Sequence, residues 1–220
     1  MPRVKALGRG RGRRAVLSAR FDIAALRPPA ALPAGQVRHP AQDHPGWPAL
    51  HRWCLDGAGP GTRSFWSPAS APTIGLRFAV ATLVGADIAT QRALSQALCL
   101  ERDGSLQMQA CHTWGRLQVR GATKLHDAMW WRARQPTDAW DCGYVIDTPG
   151  GLQALARFVP RRATLMVADG LPPQALATVA AGLQARQAQF THAVRLLAIG
   201  ARTMTEGLAA TTITVATPAC

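Results

Sequence analysis

Five short apolar runs, four of them closing on glycine or aspartate, constrain this chain more than any other feature. They are Leu76–Val84 before Gly85, Cys142–Ile146 before Asp147, Ala163–Ala168 before Asp169, Val194–Ile199 before Gly200, and Thr211–Ala216. Each has the length and β-branched content of a strand. The runs are continuously apolar rather than alternating, as strands are when both of their faces are covered.

Between the runs lie segments of helical spacing. Residues 88–100 place Ile88, Leu94 and Leu98 on one face, and 151–158 and 174–189 follow the next runs. A further strand is expected over 115–121 and a helix over 122–134, ended by Pro136. Strands alternating with helices predict an α/β fold, a mainly parallel sheet of about five strands with helices on both faces. In such sheets ligands bind beyond the carboxyl ends of the strands. The loops after Val84, Ile146, Ala168 and Ile199 are therefore the places to look for function.

The 73–220 domain is preceded by two segments of different texture. Residues 1–40 read as a flexible basic arm, with nine Arg or Lys against Asp22 alone. That arm holds +8 of the net charge of +13, and the other 180 residues hold +5. Residues 41–72 are rich in Pro and Gly, which excludes long helices and central strands. Trp47, Trp53 and Trp66 lie in this stretch, so part of it is expected to pack as an irregular cover on the domain.

Composition excludes several classes. No run of 18 apolar residues exists to span a membrane, and the N-terminus has no secretory signal. The first 21 residues are Arg-rich and acid-free, a composition shared by organellar transit peptides and plain basic tails. The five cysteines are scattered without a Cys-x-x-Cys pair, which fits core thiols in a reducing, cytoplasmic setting. No metal-site spacing appears, since Cys111 and His112 are adjacent. The Gly-Arg repeat at 8–14 has two readings. Arg9, Arg11, Arg13 and Arg14 can seek nucleic-acid phosphates from a mobile backbone, or the arm can simply be solvated.

The loop after the first run stands in the strand–loop–helix slot of a Walker A loop, G-x-x-x-x-G-K-[ST]. Gly85 matches its first glycine. Thr90 stands at the second glycine, Gln91 at the lysine and Arg92 at the magnesium-binding hydroxyl. Without the lysine, phosphoryl transfer lacks its main electrostatic clamp. The same loop also reads as an ordinary strand-to-helix turn with Asp87 as the helix cap. Gly57-Ala58-Gly59-Pro60-Gly61-Thr62 looks like a second phosphate loop but has no strand before it and no lysine. No nucleophile elbow G-x-S-x-G occurs, and His126 and Asp127 are neighbours that do not share a helix face.

Two resemblances to P-loop NTPases can be named. Trp140 to Gly150, ending Val145-Ile146-Asp147-Thr148-Pro149-Gly150, resembles the D-x-x-[VI]-I-D-T-P-[PG] segment of ParA/MinD partition ATPases, which implies Asp147 as the Walker B-type acid. Trp140-Asp141-x-Gly143-Tyr144, Pro160 to Asp169 and His192 to Leu197 are similar to successive segments of STAND-type signalling NTPases, which implies Asp169 instead. Both likenesses cover roughly residues 76–200 and depart at the Walker A loop. Gly200-Ala201-Arg202-Thr203 carries no guanine-specificity motif. The resemblance implies an ATP/Mg2+ site built from Gly85, Thr90, Gln91, Arg92, Asp147 and Asp169. The expected function is a P-loop NTPase-like nucleotide-sensing or scaffolding module with degenerate catalytic parts. The alternatives are a nucleic-acid-binding accessory protein that uses its basic arm, and an α/β enzyme of a different kind.

Overall fold

The computed structural model describes residues 25–30, 39–56, 77–103, 140–200 and 210–215. The expected strand at 115–121, the helix at 122–134, the glycine loop at 57–62 and the arm arginines at 9–14 lie outside them. So does Trp66.

The apolar runs pair as one sheet. Its strands are β1 (Leu26–Arg27), β2 (Phe78–Val84), β3 (Asp141–Val145), β4 (Thr164–Asp169), β5 (Val194–Ile199) and β6 (Ala210–Thr214). They lie in the order β1-β3-β4-β5-β2-β6. β1 runs antiparallel to β3, and every other neighbouring pair is parallel. Four α-helices accompany them among the described residues: α1 (Trp47–Leu55), α2 (Ile88–Arg102), α3 (Pro149–Ala156) and α4 (Pro173–Arg186).

Period-two side chains divide the core between the two faces. Phe78 and Val80 of β2, Met166 and Ala168 of β4, and Leu196 and Ala198 of β5 pack with Leu155 of α3 and Leu176, Val179 and Leu183 of α4. Ala79, Ala81 and Leu83, Leu165 and Val167, and Leu197 and Ile199 pack on the other face with Leu50 and Trp53 of α1 and Leu94 and Leu98 of α2. The mostly parallel α/β expectation holds at this level. The sheet is mixed rather than purely parallel because a sixth, two-residue strand closes one edge.

That sixth strand falls in the segment read from composition as an arm. Ala25 and Leu26 are buried against the first core face, and the Ile146 amide donates to the Ala25 carbonyl at 3.1 Å. A short apolar pair inside a basic tail is too brief to register as a periodic strand, yet it covers the exposed edge of β3. Residues 41–56 also hold more order than their proline content suggests. Pro48 occupies the first turn of α1, where its missing N–H removes no helical bond. Leu50, Trp53 and Cys54 then share the buried face of that helix.

Candidate functional site

All five parallel strands end on the same edge of the sheet. Across it, Asp147 follows β3, Asp169 ends β4, Gly200 follows β5 and Gly85 follows β2. At about 4.8 Å per strand, Gly85 stands roughly 10 Å from Asp169 and 14 Å from Asp147. Topology thus collects every loop singled out in the sequence. Side chains decide which of them meet.

The turn after β2 is short. Only Gly85, Ala86 and Asp87 separate Val84 from the first helical residue, Ile88. Gly85 has φ +93, and a Cβ there would lie 2.7 Å from the Val215 carbonyl oxygen, so the turn and the strand beside it leave room for no side chain. Thr90, Gln91 and Arg92 therefore belong to the first turns of α2 rather than to a loop. Asp87 caps that helix, its Oδ1 accepting the Thr90 amide at 2.6 Å. The Thr90 hydrogen bonds hold the Asp87 carboxyl below the usual carboxylate range. A side-chain anion already occupies the positive end of α2.

Gln91 ties two turns together. Its Nε2 donates to the Ala86 carbonyl at 2.8 Å, and its Oε1 accepts the Gly200 amide at 2.9 Å. An amide has both a donor and an acceptor, whereas the ammonium of a lysine at this position has no acceptor for Gly200. The residue that departs most sharply from the Walker A pattern is thus the one that joins the β2 turn to the β5 turn.

Arg92, one position further on, crosses β5 to reach β4. Its Nε donates to Asp169 Oδ2 at 2.9 Å and to Oδ1 at 3.2 Å, and its Nη2 donates to Oδ1 at 3.1 Å. Both carboxylate oxygens are engaged by one guanidinium, a forked geometry that fixes direction as well as distance. The partnership raises the Arg92 pKa, first through the hydrogen bonds and then through the Asp169 charge.

Two neighbours escaped the sequence reading as site residues. Tyr144 of β3 stands at 3.2 Å from the Ser95 hydroxyl of α2, and Arg27 of β1 lies over its ring at 5.9 Å. Burial pushes the Tyr144 phenol up to about 12. The signal was present, since Tyr144 is the only tyrosine in the chain and lies within the apolar run Cys142–Ile146.

Asp147 behaves differently. It is exposed and makes no hydrogen bond or ion pair among the described residues. The segment after it starts α3: Thr148 Oγ1 accepts the Gly151 amide at 3.1 Å, and Pro149 opens the helix. The structure joins Gln91 to the turns after β2 and β5 and Arg92 to Asp169, sets Thr90 on Asp87 and Gly85 against Val215, and leaves Asp147 apart. Comparison of the chain with protein-family models, with curated proteins and with solved structures finds no match.

Proposed function

We propose that this chain is a P-loop-like α/β module that serves as a scaffold and is catalytically silent, its strand-end edge closed by its own side chains. The observation that carries this reading is the forked pairing of Arg92 with Asp169. Asp169 is the acid that α2 reaches, which favours the STAND-like likeness over the ParA/MinD-like one. The residues do not fit a magnesium–nucleotide. A cation on Asp169 has to displace a guanidinium, a phosphate at the start of α2 has to displace Asp87, and Gln91 has spent both ends of its amide on backbone. Each displacement costs a hydrogen-bonded partner before any ligand contact is gained.

The test is a titration with a fluorescent ATP analogue, with and without Mg2+, beside a phosphate-release assay. Wild type is expected to show no saturable binding at micromolar protein, no response to Mg2+ and no phosphate release. Magnesium-dependent binding that Asp169→Ala abolishes overturns the silent reading.

A further inference from the structure

Basic charge on the described residues is concentrated at one end of the strands, on the side of α3 and α4. The carboxyl-end edge carries Asp87, Asp147 and Asp169 against Arg27 and Arg92. The opposite edge collects arginines. Arg77 precedes β2, Arg161 and Arg162 precede β4, and the helices returning to this edge finish at Arg157 after α3 and Arg186 at the end of α4. Half of the described arginines therefore lie here. Asp141 starts β3 beside them, and the other carboxylates of this end, Asp56 after α1 and Glu101 and Asp103 at the end of α2, belong to the opposite face of the sheet.

Contacts bring these residues together. The Arg186 guanidinium donates to the carbonyls of Ala156 and Arg157, and Arg77 donates to the Phe190 carbonyl just before β5. Backbone bonds from Thr164 to Ala193 and from Val194 to Arg77 join the starts of β4, β5 and β2 into one continuous row. The stretch from Arg157 to Arg161 alternates: Phe158 and Pro160 are buried, while Arg157, Val159 and Arg161 are exposed. Buried anchors at every second position turn the intervening side chains outward. Arg77 and Arg186 are held in place by carbonyls that neutralise no charge, so their cationic heads are ordered in advance of a partner.

We infer that this edge is a docking surface for the phosphate backbone of duplex DNA. Five arginines gathered on the α3 and α4 side, with most carboxylates of this end on the opposite face, complement a polyanion. Guanidinium forks suit phosphate oxygens. The aromatic side chains here, Phe78, Phe158 and Phe190, are buried, so among the described residues the surface offers no ring on which the bases of a single strand can stack. The contacts are to backbone alone, and binding is independent of sequence.

The experiment measures anisotropy of a labelled DNA duplex with the full-length chain at several salt concentrations. Arg157→Gln with Arg161→Gln is compared with Arg27→Gln with Arg92→Gln, which removes equal charge from the carboxyl-end edge. Melting curves confirm that each variant folds, and Arg157→Lys with Arg161→Lys restores charge where the first pair does not fold. The edge variant is expected to bind about tenfold more weakly, with the log–log salt slope shallower by about 2, as loss of two phosphate contacts requires. The distant pair is expected to move neither quantity as far, and the lysine pair to recover most of the affinity. Equal losses in both glutamine pairs, or wild-type binding by the edge variant, overturn the assignment. So does binding to vesicles containing phosphatidylserine without binding to the duplex, or equal affinity for a single strand.

Discussion

A guanidinium buried in a core is costly unless carbonyls or carboxylates surround it. Arg195, on β5, is fully buried, and burial lowers its pKa. Its Nε donates to the Cys54 carbonyl at 3.2 Å and its Nη1 to Val194 at 3.2 Å, while Nη2 donates to Asp56. The carbonyls of Cys54 and Asp56 end α1, where no helical amide remains to pair with them. Arg195 is thus the clasp between α1 and the sheet, and the resemblance that highlighted the Val194-Arg195-Leu196-Leu197 segment gave no hint of this role. Arg195→Met fills a similar volume but strands these carbonyls. It is expected to lower unfolding stability by about 2–4 kcal/mol, measured by denaturant titration. A loss below about 0.5 kcal/mol shows that water satisfies the carbonyls instead. By contrast, the Arg92 side chain is 57 % exposed, and removing it is expected to change stability little.

At the scale of elements, strand-to-helix junctions account for the motifs that look most like chemistry. The Asp147-Thr148-Pro149-Gly150 segment combines a helix cap, a proline suited to the first turn and a close passage of backbone. A Cβ on Gly151 would sit 2.4 Å from the Ile146 carbonyl oxygen, so α3 turns off β3 only because this side chain is absent. Gly151→Ala is expected to destabilise the fold by about 1–3 kcal/mol through displacement of α3. Gly150→Ala, at a position with open space, serves as its control in thermal melts. Equal melting of the two variants removes the close-passage explanation. The same junction chemistry made Asp147 resemble a catalytic acid, because a carboxylate before a capped helix is also where a nucleotide-binding sheet carries one.

Over the whole molecule, two buried thiols and a phenol link stability to pH. Cys54 and Cys142 lie in the core face shared by α1, α2 and the sheet, and Tyr144 packs against it. Burial pushes Cys54 up to about 12 and Cys142 well above its ordinary value, and Tyr144 rises to about 12. In the unfolded chain these groups ionise near 9 to 10, while in the folded chain they stay protonated. The unfolded state therefore releases protons first, and stability falls as pH rises from about 9 toward 12. Each group steepens that fall by at most ~1.4 kcal/mol per pH unit. Denaturant midpoints at pH 8 and pH 10.5 are expected to show the decline, and Cys54→Ala to make it shallower. Identical midpoints at the two pH values contradict the burial of these groups.

Much of the architecture was legible in the amino-acid order. Val194–Ile199 is a strand between the residues expected, and the bounds of β2, β3, β4, β6, α2, α3 and α4 shift by only one to three residues, whereas β1 and α1 were not expected. That legibility has a local cause: buried strands demand continuous apolar runs, and caps such as Asp87 and Thr148 act within three residues of themselves. Gly85, Asp147, Asp169 and Gly200 share an edge for the same reason, since parallel strands joined through helices bring all their carboxyl ends to one side. The strand order was not legible, because register and neighbour choice depend on contacts between distant segments. Only that order sets β5 between β2 and β4, so that Gln91 meets Gly200 and Arg92 meets Asp169 while Asp147 stands apart. It also decides that Leu26 and Arg195 close the sheet and clasp α1, and that arginines far apart in the chain gather on one edge. These are pairings over long chain distances, and only the packed sheet brings such residues within reach of one another.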